Sequence, residues 1–114
     1  MRAPHLVIDA DCQRLDKKQI RKMLYELCKA VEMHPIDKAR VVFGADYNPG
    51  VSGFIFIEFS NIAIHTFERG DQTSINIDLF SCKEFDKKAV LKYLKQKGIT
   101  RISARRIWRD IRVL

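Results

Sequence analysis

Residues 50–67 read "GVSGFIFIEFSNIAIHTF", and this stretch decides the fold. Two runs rich in β-branched and aromatic residues flank a short polar junction, which is the pattern of two strands joined by a turn. We predict strands over residues 54–59 and 61–67. The preceding residues 46–53, "DYNPGVSG", contain a proline and two glycines and are predicted to form a loop.

Around this stretch the chain alternates between helical and β-type patterns. Apolar residues at three- and four-residue steps predict two helices. Asp16 is expected to cap the first helix, while Asp86 caps the second and Gly98 closes it. The C-terminal segment fits either an edge strand or a short helix. The other predicted elements are a strand at 5–12, a helix at 15–34, a strand at 39–45, a strand at 73–82 and a helix at 84–98.

This order of elements predicts an α+β fold. We expect a two-layer sandwich in which a mainly antiparallel sheet carries both helices on one face. A chain of 114 residues is long enough for one domain and too short for two. Alternation places Phe54 and Phe56 opposite Ile55 and Ile57, so both faces of the sheet are apolar. We therefore expect a second copy to cover the face away from the helices, in a homodimer.

The composition is typical of a cytoplasmic domain. No stretch approaches the roughly 18 apolar residues of a membrane span, and no apolar run at the N-terminus precedes a small-residue cleavage site, so no signal peptide is expected. The cysteines, Cys12, Cys28 and Cys82, form no CxxC pair and no metal-ligand spacing with the histidines. An odd, scattered set indicates a reducing compartment and no metal site.

The chain carries a formal net charge of +7, which raises the question of a nucleic-acid partner. Most lysines fall on the predicted helices, where they are typical of solvated faces. The C-terminal "RISARRIWRDIRVL" is densely basic and contains an aromatic residue. Since charge alone describes solubility and non-specific binding, we interpret it as solvated surface and expect no nucleic-acid site.

The polar residues of the junction have two interpretations when only their types are considered. Ser60 fits ordinary turn chemistry, His65 fits a structural histidine on a strand, and Cys82 fits a core residue. If the strands that carry them are neighbours, these three side chains could instead converge. No GxSxG, P-loop, GxGxxG or HExxH motif is present to choose between the two interpretations.

Several motifs in one order give a more specific indication. Within residues 50–82, "GVSG", an apolar run, a serine, "IAIHTF" and "IDLFSC" resemble the small prokaryotic S-adenosylmethionine decarboxylases, which are pyruvoyl enzymes of polyamine synthesis. The resemblance implies that family's fold. It also implies an enzyme that decarboxylates S-adenosylmethionine for spermidine synthesis, with a pyruvoyl group as its cofactor.

The resemblance assigns the cofactor to Ser60. Its hydroxyl would attack the carbonyl of Phe59, and elimination would then cut the chain into a β chain, residues 1–59, and an α chain, residues 60–114. The α chain would begin with the pyruvoyl group. That group would form a Schiff base with the substrate amine and act as an electron sink when CO₂ leaves.

The same resemblance implies roles for six further residues. His65 matches a base that assists processing, Ser52 matches a serine of the same step, and Cys82 matches the proton donor of turnover. The substrate-binding candidates implied by the resemblance are Phe67, Glu68 and Tyr47.

The residues at the cut depart from the pattern of the family. Members read Glu-Ser-His across it, whereas this chain reads Phe59-Ser60-Asn61, with its acidic residue at Glu58. One residue's shift along a strand points a side chain to the other face. The departure leaves two alternatives: a decarboxylase of another amino acid such as ornithine or arginine, or a catalytically silent homologue that acts as a binding or regulatory partner.

Overall fold

A computed structural model describes residues 1–58 and 60–113, apart from the side chain of Asn48. Within these residues six strands form one sheet in the order β2-β3-β4-β5-β1-β6, and every neighbouring pair is antiparallel. The elements are β1 (Arg2–Cys12), α1 (Lys17–Ala30), β2 (Arg40–Ala45), β3 (Asn48–Ile57), β4 (Ser60–Arg69), β5 (Gln72–Phe80), α2 (Lys87–Gln96) and β6 (Thr100–Asp110).

One core lies between the sheet and the two helices. The strands bury alternate residues on this side, because successive side chains of a strand point to opposite faces. Both helices bury their apolar stripes in the same cluster. The two-layer α+β sandwich predicted from the sequence is therefore confirmed. Core residues without solvent exposure include Leu6, Ile8, Ile20, Leu24, Leu27, Ile55, Ile57, Ile62, Ile64, Ile77, Val90 and Leu94.

The helix ends agree with the predicted caps. The carboxylate of Asp16 accepts a hydrogen bond from the backbone N–H of Gln19, whose side chain in turn accepts one from the N–H of Asp16. Asp86 caps α2 through the N–H of Lys88. Gly98 follows α2 with φ of 80°, in the left-handed region that glycine adopts without steric cost.

The predicted loop at 46–53 is wrong for most of its length, because β3 begins at Asn48. Its two glycines allow close packing, Gly50 against β4 and Gly53 against α1. A Cβ on Gly50 would lie 2.0 Å from the carbonyl oxygen of Thr66, and one on Gly53 would lie 2.7 Å from a methyl carbon of Ile20. Gly53 therefore marks the place where α1 packs directly on β3.

The structure also defines the end of β5 and the conformation of the C-terminal segment. β5 ends at Phe80, so Cys82 lies beyond the strand rather than within it. The C-terminal segment, whose sequence fits either a strand or a helix, is the edge strand β6, which pairs with β1.

The side of the sheet away from the helices, here called the open face, is uncovered in a single chain. As predicted, Phe54 and Phe56 lie there, opposite the buried Ile55 and Ile57. The exposed fraction is 50% for Phe56, 41% for Phe67 and 47% for Ile107. Isolated apolar side chains are normal on a surface, but a face with several of them is typical of an interface.

Candidate active site

Ser60 and Cys82 are in contact at one end of β4. The backbone N–H of Cys82 donates to Ser60 Oγ at 2.9 Å, and Ser60 Oγ donates to the carbonyl oxygen of Glu58 at 3.0 Å. The thiol of Cys82 lies 3.5 Å from the same carbonyl oxygen. We call Ser60, Cys82 and the Glu58 carbonyl the serine cluster. Its proton acceptor is an amide carbonyl, which is too weak a base to activate a hydroxyl.

The neighbouring residue Ser81 positions Cys82. Ser81 is fully buried, its N–H donates to the carbonyl of Pro4 at 3.1 Å, and its hydroxyl contacts the sulfur of Met33 at 3.3 Å. β1 and the segment after α1 thus anchor the chain directly after β5. This anchoring holds the N–H of Cys82 on Ser60.

A cavity of about 590 Å³ opens beside the serine cluster. Its walls are mainly apolar, with the carboxylate-bearing Glu58 and the amide Asn61 as the polar exceptions besides Ser60. The N–H of Ile36 donates to the carbonyl of Phe56 at 3.0 Å, so the segment after α1 forms one wall. The lining residues are Ile36, Phe56, Ile57, Glu58, Ser60, Asn61 and Phe80.

Ser52 and His65 form a second pair, on the open face. They are opposite each other in the register of β3 and β4, and Ser52 Oγ lies 2.7 Å from His65 Nδ1. Thr66 fixes this register, since its hydroxyl accepts a hydrogen bond from the N–H of Val51 at 2.8 Å. We call Ser52 and His65 the histidine cluster.

The serine and histidine clusters are separate within one chain. Ser60 and His65 are five residues apart on β4, so their side chains point to opposite faces and their Cα atoms are about 16 Å apart. Of the three side chains that could converge, only two residues do within one chain: Ser60 contacts Cys82. His65 contacts Ser52 instead.

The three substrate-binding candidates share one cavity at the histidine-cluster end of β4. Tyr47, Phe67 and Glu68 all line this space of about 720 Å³, together with Cys12 and Arg101. The carboxylate of Glu68 is engaged by Arg14 at 3.5 Å. Tyr47 is 93% exposed, so its ring packs little against its own chain.

Two of the cysteines are held as neutral thiols. Burial, with the carboxylates of Asp11 and Glu68 nearby, raises the pKa of Cys12 to about 11. Burial also raises the pKa of Cys28 to about 11, in the core. Cys82 is the cysteine that contacts Ser60.

Some parts of the site were missed from the sequence, and one lies outside the described residues. Glu58 as carbonyl acceptor and the cavity walls Ile36 and Phe80 had no sequence signal, since distant segments supply them. The pairing of Ser52 with His65 did have a sequence signal. A two-residue connection between paired strands fixes which residues face each other. Phe59, the predicted residue before the cut, is not among the described residues.

The described residues hold no group of three or more side chains suited to a metal ion. Nor do they include a helix long and apolar enough to cross a membrane.

Comparison with known proteins identifies the family. A sequence profile described as "S-adenosylmethionine decarboxylase" matches residues 4–110, which is nearly the whole chain. The chain belongs to the S-adenosylmethionine decarboxylase family. The family predicted from "GVSG", "IAIHTF" and "IDLFSC" is thereby confirmed, and membership of this family implies a decarboxylase.

The fold agrees with that family. The crystal structure of the adenosylmethionine decarboxylase from Aquifex aeolicus VF5 matches with a TM-score of 0.72 at 20% sequence identity, over 96% of this chain and 91% of that one. No curated protein sequence matches significantly.

Proposed function

We propose that this chain is a self-processing, pyruvoyl-dependent S-adenosylmethionine decarboxylase that supplies decarboxylated S-adenosylmethionine for spermidine synthesis. The observation that carries the proposal is the contact of Ser60 with Cys82. It joins the hydroxyl proposed to become the cofactor with the thiol proposed to donate a proton in turnover.

Processing would use only groups of the chain itself. The Ser60 hydroxyl attacks the carbonyl carbon of residue 59, an ester replaces the amide, and the amine of Ser60 is freed. Elimination then releases residues 1–59 with a C-terminal carboxylate. Hydrolysis of the remaining dehydroalanine releases ammonia and leaves a pyruvoyl group at residue 60.

The residues around Ser60 fit such a group. The N–H of Cys82 already points at the position of Ser60 Oγ, and the cavity beside it is large enough for a small substrate. When formed, the pyruvoyl carbonyl supplies an electron sink for loss of CO₂. The thiol of Cys82, on the same side of the junction, can return a proton to the substrate carbon.

The base for processing would come from a second copy of the chain. The Ser60 hydroxyl needs a stronger proton acceptor than the Glu58 carbonyl, and His65 of the same chain is about 16 Å away along β4. Two copies could pack open face to open face, related by a two-fold axis perpendicular to the strands. The Ser60 end of β4 in one copy would then face the His65 end of β4 in the other. The histidine cluster of one copy would then approach the serine cluster of the other, which is the role we propose for the predicted homodimer.

The substrate would bind where the cavity beside Ser60 of one copy meets the cavity beside Phe67 of the other copy. Phe67 and Tyr47 offer aromatic faces for adenine stacking and for the sulfonium cation. Glu68 offers oxygen atoms to ribose hydroxyls if Arg14 releases it. Because Tyr47 is almost fully exposed in one chain, we expect it to acquire its contacts only in the dimer or with substrate.

A second candidate substrate is a diamino acid such as ornithine or arginine. The observation in its favour is Glu58, whose side chain lines the apolar cavity beside Ser60. A carboxylate there would pair with a distal ammonium or guanidinium group.

Release of CO₂ from carboxyl-labelled substrates tests the proposed function. We expect turnover of S-adenosylmethionine by the wild-type protein, little turnover of ornithine or arginine, and none of any substrate by Ser60→Ala. Preference for ornithine or arginine, reversed by Glu58→Gln, would establish the second candidate. No turnover of any of the three would indicate a catalytically silent homologue.

A further inference from the structure

The excess positive charge of the chain lies on its two helices. Together α1 and α2 contain nine basic residues and one acidic residue, a net charge of +8, whereas the whole chain has +7. The strands and loops therefore sum to −1. The basic residues of the helices are Lys17, Lys18, Arg21, Lys22, Lys29, Lys87, Lys88, Lys92 and Lys95.

These nine side chains form no ion pair within the part of the chain that the structure describes. All except Lys87 are exposed. Three of the four arginines of β6 differ, because they have partners within the chain. Arg101 pairs with Asp11 at 3.3 Å, Arg106 lies over the rings of Phe85 and Trp108, and Arg109 lies over the ring of Phe80. The basic C-terminal segment is thus the less available of the two cationic regions.

Four of these lysines are placed where they disfavour helix stability. Lys17 and Lys18 begin α1, and Lys87 and Lys88 begin α2, at the positive end of each helix dipole. Neither first turn contains an acidic residue. Lys88 is also one turn from Lys92, where like charges repel. Lys29 and Lys95 lie in the last turns, where a basic residue is favourable, and the caps Asp16 and Asp86 offset part of the charge at the first turns. The like charges of the first turns remain close together, and a polyanion would relieve their repulsion.

The outer surface of the helices lacks apolar anchors. The large hydrophobic side chains that are exposed in the described residues all lie outside α1 and α2. A bilayer partner would need apolar side chains to insert, and a protein partner would need aromatic or aliphatic hot spots. A hydrogen bond of 2.7 Å from Tyr93 to Glu26 joins the two helices, so their exposed sides, which carry these basic residues, belong to one surface of the molecule. We call it the helix surface.

We propose that the helix surface binds the phosphate backbone of nucleic acid without sequence preference. Lysine ammonium groups act as point charges toward phosphate, and such binding is driven by counterion release. The helix surface lies on the opposite side of the sheet from the open face. Binding there leaves the proposed dimer and its active sites accessible, so the inference is independent of the proposed function.

Anisotropy of a labelled DNA duplex of about 20 base pairs tests this inference with the full-length protein. If four phosphates are contacted, the logarithm of the association constant falls with the logarithm of salt concentration with a slope of about −4. We expect the double variant Lys88→Glu/Lys92→Glu to lose at least about tenfold in affinity at low salt, where these contacts are strongest. The matched control Lys38→Glu/Arg112→Glu has the same change in charge outside the helices and should lose less than about threefold.

Misfolding would not mimic the expected loss. Glutamate at position 88 lies in the first turn of α2, where the helix dipole favours an acidic residue, so the thermal midpoint should not fall. Three results would overturn the inference: no salt-dependent binding of the duplex, an equal loss in both double variants, or binding of phosphatidylserine vesicles in place of the duplex.

Discussion

Ser60 accepts a hydrogen bond from the backbone of Cys82, not from its side chain. A substitution at position 82 can therefore separate the role of the thiol from that of the main chain. The N–H of Cys82 reaches Ser60 Oγ at 2.9 Å regardless of the side chain at position 82. We therefore expect the side chain at position 82 to affect turnover and its main chain to affect the position of the Ser60 hydroxyl.

Cys82→Ala is expected to retain chain cleavage and to lose decarboxylation. The N–H that orients Ser60 remains, whereas the proposed proton donor is removed, and a positioned acid contributes about 10²–10⁴-fold to rate. Intact mass reports cleavage, and CO₂ release reports turnover. An equal loss of both would show that the thiol acts in processing. Normal turnover would remove it from the mechanism.

At the scale of elements, packing of α1 on β3 depends on Gly53. Gly53→Ala would place a Cβ 2.7 Å from Ile20 and 2.9 Å from Leu24. We expect a loss of about 1–3 kcal/mol in the free energy of unfolding, as for other overpacked cores. Urea denaturation measures it.

A double-mutant cycle with Leu24→Ala serves as the control. If the clash is the cause, trimming Leu24 relieves part of it, and the double variant is less destabilised than the sum of the two single variants. Strict additivity would mean that Gly53 is required for another reason.

The contact between the helices predicts a dependence of stability on pH. The hydrogen bond from Tyr93, followed by the ammonium of Lys97, lowers the pKa of Glu26 below its usual 4.5. The unfolded chain therefore binds the proton more tightly. The stabilisation is present above pH 4.5 and is lost as the pH falls toward the lower pKa of the folded state.

Tyr93→Phe is expected to cost about 0.5–1.5 kcal/mol at pH 7, and this difference from wild type should shrink below pH 4.5. Tyr25→Phe is the matched control, because the hydroxyl of Tyr25 accepts from the N–H of Ala39 rather than binding a carboxylate. Its cost should not change with pH. A constant cost for Tyr93→Phe in thermal unfolding would contradict the assignment.

The elements were largely predictable from the sequence, because they rest on local patterns. Period-2 alternation predicted which residues share a face of β4 and of β5. Asp16 and Asp86 predicted where the two helices begin. The start of β3 was not predictable, because glycines such as Gly50 and Gly53 are typical of loops. Here they allow close contacts with Thr66 and with α1, and only the tertiary structure creates these contacts.

The sequence predicts the candidate site as a set of residues but not as an arrangement. "IAIHTF" and "IDLFSC" identified His65 and Cys82 by resemblance. The sequence allowed Ser60 and His65 to converge with Cys82, whereas their odd spacing on β4 places them on opposite faces. The hydrogen bond between Ser60 and Cys82 depends on Ser81 docking against β1 and on the segment after α1, and these are distant in sequence.

At the scale of the whole molecule, separation of the two clusters predicts complementation between chains. Ser60→Ala and His65→Ala are each expected to block cleavage, whereas their mixed dimer contains one complete site, made of Ser60 from one copy and His65 from the other. With random pairing, about half of the His65→Ala chains should be cut and no Ser60→Ala chain.

Intact mass after co-expression distinguishes the two chains. Ser60→Ala co-expressed with the double variant Ser60→Ala/His65→Ala is the control and should remain uncut. Absence of cleavage in the mixed dimer, with dimerisation verified, would mean that His65 does not act across the interface.

Intact mass of the wild-type protein after incubation is the most direct test of self-processing at Ser60. The account predicts two fragments, residues 1–59 and 60–114, the second lighter by one ammonia than a chain beginning with serine, while Ser60→Ala stays whole. A single full-length species that persists on heating, identical in behaviour to Ser60→Ala, would contradict it.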